Sequence, residues 1–356
     1  MKRSKLFTIL SILAMLLLVL SLGVFAQDDE TETEDEDATE EMMEEEEMEE
    51  EPFCTEEVRE MLNEEYGEVF IPVISKGFQH QFWQAVNLGA DMAAEDCGVT
   101  ISFEGPESES QVDRQIEMLQ AALDREPDAL AFAALDSIAA VPLLERADEE
   151  GIPVVGFDSG VDSDIPVTTA ATDNVAAAAH IADRMAEMIG GEGQVAVIAH
   201  DQTSRTGIDR VDGFRNRIEE EYPDIEIVDI QYAGGDHLRS TDAAKAIILS
   251  NPDIDGFFGA NEGSIIGVLN AVIELGMEGD LVVIGYDSGL QQTEAIRSGT
   301  ITGSVTQDPI GIGYKAVEAA VMALLGEELE ETIDTGFYWY DAENIDEENI
   351  QAVLYD

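Results

Sequence analysis

From Glu68 onward the chain alternates short apolar runs with longer amphipathic segments, and this rhythm restricts the fold more than any other feature. Val69–Ser75, Val99–Glu104, Ala129–Ala134, Pro153–Phe157 and Val167–Ala171 read as strands. Between and after them, Phe82–Cys97, Ser110–Arg125, Ile138–Glu150 and the Ala-rich Val175–Ile189 read as helices. The rhythm then repeats. Strands over Gln194–Ala199, Glu226–Gln231, Gly256–Gly259, Leu281–Tyr286 and Thr302–Val305 are separated by helices starting near Asp209, Asp242, Ser264 and Leu290. Strands apolar on both faces and spaced by helices form parallel sheets of βαβ units. Two such sets, over about 300 residues that exceed one ordinary core, predict two doubly wound α/β lobes.

The stretch Gly151–Asn174 hands the chain from one lobe to the other. Its strand ends in Phe157, and Asp158, Ser159 and Gly160 follow at the carboxyl end, where open α/β sheets bind ligands. A second short strand leads to Thr172, and Asp173 or Asn174 then caps the next helix.

The N-terminus reads differently. Lys2, Arg3 and Lys5 precede an apolar core, Phe7–Leu22, and Val24-Phe25-Ala26 fits a cleavage site, so residues 1–26 form a signal peptide. A retained anchor is the alternative, but the run is short for a span and is followed by acid. Residues 27–67 are an acidic disordered linker and N-terminal arm; Asp28–Glu51 is nearly pure acid and buries nothing. The chain's net charge of −61 excludes nucleic acid and anionic lipid as partners and suits a saline medium. Outside the cytoplasm the two cysteines, Cys54 and Cys97, can form one disulfide that staples the arm to the first helix of the alternating region, or remain two thiols.

Nearly every strand end carries polar groups. After the first come Ser75, Lys76 and His80, followed by the aromatic pair Phe82-Trp83, whose faces suit the C–H surface of a sugar or serve as ordinary core. Asp136-Ser137 and Asp158-Ser159 follow the third and fourth strands. Later strands end in His200-Asp201, Asn261-Glu262, Asp287-Ser288 and Gln307-Asp308. Such groups in register predict a ligand cleft between facing lobes. Enzymatic signatures are missing: there is no G-x-G-x-x-G after a strand, no Walker loop and no G-x-S-x-G elbow. Asp158, Asp162 and Asp164 lack the glycine-centred loop and distal Glu of a calcium site. Neither metal nor cofactor is expected.

Phe82-Trp83 with Gly89-Ala90, Phe157-Asp158, Thr172-Asp173-Asn174, Asn261-Glu262, Gly285-Tyr286-Asp287 and Gln307-Asp308-Pro309 together resemble the type I periplasmic sugar-binding proteins of the ribose-binding kind, over about Val69 to Gly326. The resemblance implies two lobes, 68–173 with 307–332 and 174–306 with 333–356, joined by three crossings near Asp173, Thr306–Gln307 and Thr332–Gly336. It also implies closure of the lobes on a sugar or polyol, no catalysis, a monomer outside the cytoplasmic membrane, and delivery to the permease and ATPase of an ABC importer. Partnership with a sensor or chemoreceptor is the alternative, and a secreted α/β enzyme a more distant one. Carried over, Ser75, Phe82, Trp83, Asp136 and Asp158 line the first lobe; Arg205, Asn261 and Asp287 serve the second; Gln307 sits at a crossover. Arg210 competes with Arg205, and Ser159 stands where the family often has Arg.

Overall fold

The computed structural model describes residues 53–355. The expected signal peptide and the acidic run Asp28–Glu51 lie outside them. The described part of the expected linker and arm is helical: α1 (Glu56–Glu65) is capped by Thr55 and buries Val58 and Leu62. Cys54 is joined to Cys97, with Cα atoms 4.8 Å apart, which ties the start of this arm to the end of the next helix.

The first set of elements is β1 (Phe70–Ile74), α2 (Gln81–Cys97), β2 (Thr100–Glu104), α3 (Val112–Leu123), β3 (Leu130–Phe132), α4 (Val141–Glu150), β4 (Val154–Phe157) and β5 (Thr168–Ala171). The second is α5 (Asn174–Ile189), β6 (Gly193–Ala199), α6 (Arg205–Glu221), β7 (Ile225–Tyr232), α7 (His237–Ser250), β8 (Gly256–Gly259), α8 (Glu262–Leu275), β9 (Val282–Tyr286), α9 (Leu290–Ser298) and β10 (Gly303–Gln307). The chain then returns to the first lobe with α10 (Pro309–Leu325) and β11 (Thr332–Asp334), and ends in the second with β12 (Phe337–Asp341) and α11 (Glu348–Gln351).

Two six-stranded sheets result, in the orders β2-β1-β3-β4-β5-β11 and β7-β6-β8-β9-β10-β12. All pairings are parallel except β10 with β12. The inner strands of each sheet are buried on both faces, and the faces alternate along them. Ile71, Val73, Ala131, Val155 and Phe157 join the core under α2 and α10, whereas Ile74, Leu130, Phe132 and Val154 join the core under α3 and α4. That two-sided burial is the physical source of the continuous apolar runs. Helices α2 and α10 touch through glycine: a Cβ at Gly89 would collide with the Ile310 carbonyl, and one at Gly313 with that of Val86.

The chain passes between the sheets after β5, after β10 and after β11. Asp173 Oδ1 accepts from Ala176 N at 2.9 Å and Asp308 Oδ1 from Gly311 N at 2.7 Å, so two crossings run straight into a capped helix. The third turns at Gly336, where φ is +74°. Gln307 is the last residue of the second sheet's β10, and Ile333 and Asp334 belong to the first sheet. The lobe boundaries therefore fall one or two residues from the expected positions 307 and 333.

Candidate functional site

The carboxyl ends of the two sheets face each other across a cavity lined from both lobes. The first lobe supplies Lys76, His80, Phe82, Trp83, Glu109 and Asp158; the second supplies His200, Arg210, Asn261, Asp287 and Gln307.

Asp158 and Asp287 follow β4 and β9, both in left-handed backbone, with φ of 54° and 80°. Such conformations are sparse for non-glycine residues and concentrate at functional sites. Asp287 is held by the protein on both oxygens: Oδ1 accepts from Gln307 Nε2 and Oδ2 from Glu262 N, each at 2.8 Å. Asp158 Oδ2 accepts no hydrogen bond and lies 3.7 Å from Lys76 Nζ. Burial pushes the Asp158 carboxyl up to about 6; Lys76 and Arg210 pull it back, and Glu109 and Asp287 push it further.

Lys76 reaches across the lobes and donates to Thr206 Oγ1 at 2.8 Å. Behind it, burial drives the His200 imidazole down to about 4, with Lys76 and Arg210 adding to the effect against Asp201, so the ring is neutral near pH 7. Glu109 is buried too, yet its carboxyl is held below its ordinary value. Burial raises it, but His80, Lys76, His200 and the Trp83 N–H together outweigh that. Trp83 Nε1 donates to Glu109 Oε1 at 2.8 Å, while its ring meets Phe82 and Phe157 edge-on at 4.9 and 6.4 Å. Trp83 is therefore both core and cavity wall. Arg210 is fixed at three points: Nε donates to Asn174 Oδ1 at 2.7 Å, Nη1 donates to Ala260 O at 3.0 Å, and the guanidinium lies 3.6 Å from the Tyr286 ring centre.

Six expected residues line the cavity: Phe82, Trp83, Asp158, Asn261, Asp287 and Gln307. Three do not. Ser75 Oγ turns inward to donate to the Gly77 and Glu104 carbonyls, bracing the loop after β1. Asp136 Oδ1 accepts from the N–H groups of Ile138 and Ala139, a local turn that consumes its carboxylate. Arg205 is partly exposed, pairs with Asp162 and Asp209, and lines a separate groove beside the crossings. The correction has a geometric cause. Helix α6 begins at Arg205, capped by Ser204, rather than near Asp209. Arg205 and Arg210 are thus five helical residues apart, on different faces, and Arg210 faces the cavity.

Sequence reasoning named Lys76, His80 and His200 only as polar groups at strand ends, left Arg210 as the competitor of Arg205, and did not single out Glu109. Lys76 carried a signal, being one of only three lysines beyond residue 26 and standing at a strand end. Glu109 carried none, because Glu104, Glu107 and Glu109 look alike in one loop. Among the described residues no His, Cys, Asp and Glu side chains group as metal ligands, and no helix is long and apolar enough to cross a membrane.

Two α/β lobes joined by three crossings, with a polar, aromatic-walled cavity between them, define a two-lobed binding protein. The chain belongs to the periplasmic binding protein domain family, whose model matches residues 71–328. It is 27% identical over 259 residues to the D-allose-binding periplasmic protein of Escherichia coli, covering 70% of this chain and 83% of that one. It is 26% identical over 252 residues to the ribose import binding protein of Bacillus subtilis, covering 71% and 80%. A solute-binding protein of an ABC transporter from Agrobacterium vitis, solved with bound D-fucose, superposes with a TM-score of 0.78 at 34% identity, covering 80% of this chain and all of that one. A carbohydrate-transporter solute-binding protein from Agrobacterium radiobacter, solved with D-arabinose, also gives 0.78 at 30% identity, covering 81% and 99%.

Proposed function

We propose that this protein captures a monosaccharide or polyol outside the cytoplasmic membrane and presents it, as a monomer, to the permease and ATPase of an ABC importer. One observation carries the reading: buried carboxylates from opposite lobes, Asp158 and Asp287, line one cavity together with the aromatic side chains of Phe82 and Trp83. Carboxylates accept hydrogen bonds from neutral hydroxyls, and an aromatic face covers the C–H side of a sugar ring. Arg210 keeps guanidinium donors beyond those it spends on Asn174 and Ala260, and these suit ring and hydroxyl oxygens. Lobes that meet around a ligand bury it and form a joint surface for a permease. Family membership and the named sugars of similar proteins support the same reading, and the Cys54–Cys97 bond suits an oxidising compartment.

A thermal-shift screen tests it, using D-fucose, D-arabinose, D-allose, D-ribose, other neutral monosaccharides, polyols, sugar acids and amino acids. A neutral sugar or polyol is expected to raise the melting temperature in proportion to the logarithm of its concentration. A shift with amino acids or sugar acids alone would overturn the reading.

A further inference from the structure

Helices α2 and α9 begin without a cap of their own. His80 stands at the N-cap of α2 and its side chain makes no capping bond; Gly289 stands at the N-cap of α9 and has no side chain to make one. By contrast α5, α6, α7, α8 and α10 are capped by Asp173, Ser204, Asp236, Asn261 and Asp308. The missing caps come from the opposite lobe. Glu262, the first residue of α8, accepts from Gln81 N through Oε1 at 3.3 Å and from Phe82 N through Oε2 at 3.4 Å. In return Gln81 Oε1 accepts from Leu290 N, at the start of α9, at 2.8 Å. A Cβ at Gly289 would come within 3.1 Å of both side chains, so the glycine leaves the room they use.

The exchange connects to the cavity at both ends. The Glu262 N–H donates to Asp287 Oδ2, and the Glu262 carboxylate holds the N–H of Phe82, whose ring lines the cavity. Each half needs the other lobe, so neither survives separation of the lobes. In an open molecule both helix ends lose these acceptors and turn to water.

From this we infer that Glu262 and Gln81 form a reciprocal capping latch, which holds the closed lobes together, seats Phe82 against the bound molecule and sets how slowly that molecule leaves. The latch rests on the sugar-binding reading only for its ligand. Both are positioning residues; Gln81 and Glu262 act through backbone and through Phe82.

Stopped-flow association and release of D-fucose, with D-arabinose as second probe, tests the latch in the parent, Glu262→Ala, Glu262→Gln and Gln81→Ala. Loss of a helix cap predicts release about three- to thirtyfold faster in both alanine variants. Association is expected to stay within about twofold, and Glu262→Gln to fall between parent and alanine because it keeps one acceptor oxygen. Unchanged release, or a loss confined to association, would overturn the latch. If neither sugar binds the parent, that failure belongs to the ligand reading. The latch is then read from distances between spin labels at positions 138 and 238, exposed residues of the two lobes, in unliganded protein. The alanine variants must shift toward longer distances, and identical distributions would overturn it.

Discussion

Asp158 and Asp287 occupy matching places in the two lobes and live under opposite conditions. Each follows a buried strand, each adopts left-handed backbone, and each sends its N–H to the neighbouring strand, Asp158 to Ala170 O at 2.9 Å and Asp287 to Val305 O at 2.7 Å. Asp287 is held at both oxygens, by Gln307 and by the start of α8. Asp158 keeps an oxygen with no hydrogen bond, and burial pushes its carboxyl up to about 6. One acid belongs to the frame of the site. The other is held at a cost to the unliganded fold that ligand hydroxyls can offset. A topological position thus fixes where an acid stands, while its neighbours decide whether it supports the fold or waits for a ligand.

The largest expected effect comes from Asp287→Ala. It strands the Gln307 amide and the Glu262 N–H in a buried site, at about 1–3 kcal/mol each. Unliganded stability should drop by about 2–5 kcal/mol in denaturant melts, together with a loss of sugar affinity of a hundredfold or more. Asp158→Ala should cost sugar affinity alone, about ten- to a hundredfold in calorimetric titration, with unliganded stability equal to or above that of the parent. Equal stability losses in the two variants would break the comparison.

Acidity sharpens it. The Asp158 carboxyl is raised from 3.8 to about 6 in the fold, so the folded protein keeps a proton that the unfolded chain releases. This group's contribution is fully present below about pH 4 and is lost as pH rises through about 6. Asp158→Asn should therefore stabilise the unliganded protein relative to the parent above pH 6, on the order of 2–3 kcal/mol, with the gain vanishing below pH 4. Urea melts of both proteins across that range check the sign; a gain larger at pH 4 than at pH 8 would contradict it.

The alternation of strand and helix was readable because the inner strands of both sheets are buried on both faces, so β1, β3, β4, β8 and β9 read as apolar runs. Asp158, Asp287, Asn261 and Gln307 were readable because a polar residue directly after such a run can only sit at the strand's carboxyl end. Arg210 was not, since choosing it over Arg205 required the first residue of α6, and Ser204 was not recognised as its cap. The C-terminal tail was also illegible. Tyr355 packs edge-on against first-lobe Phe82 at 6.0 Å while its hydroxyl accepts from second-lobe Ser288 N at 2.9 Å, contacts made by residues far apart in the chain.

The smallest expected effect follows from that α6 register. Arg205→Ala removes partly exposed ion pairs with Asp162 and Asp209, worth about 0–1 kcal/mol, and should leave sugar affinity within about twofold. A hundredfold loss in calorimetry would return Arg205 to the site.

The most direct test is a crystal structure of the protein with the monosaccharide or polyol that stabilises it most. The sugar should lie between the lobes, with one hydroxyl within about 2.5–3.0 Å of Asp158 Oδ2, the distance of an O–H···O bond, and with one ring face against Phe82 and Trp83. A sugar lodged instead in the groove beside the crossings, against Arg205, Asp209 and Asp334, would contradict the assignment of the cavity.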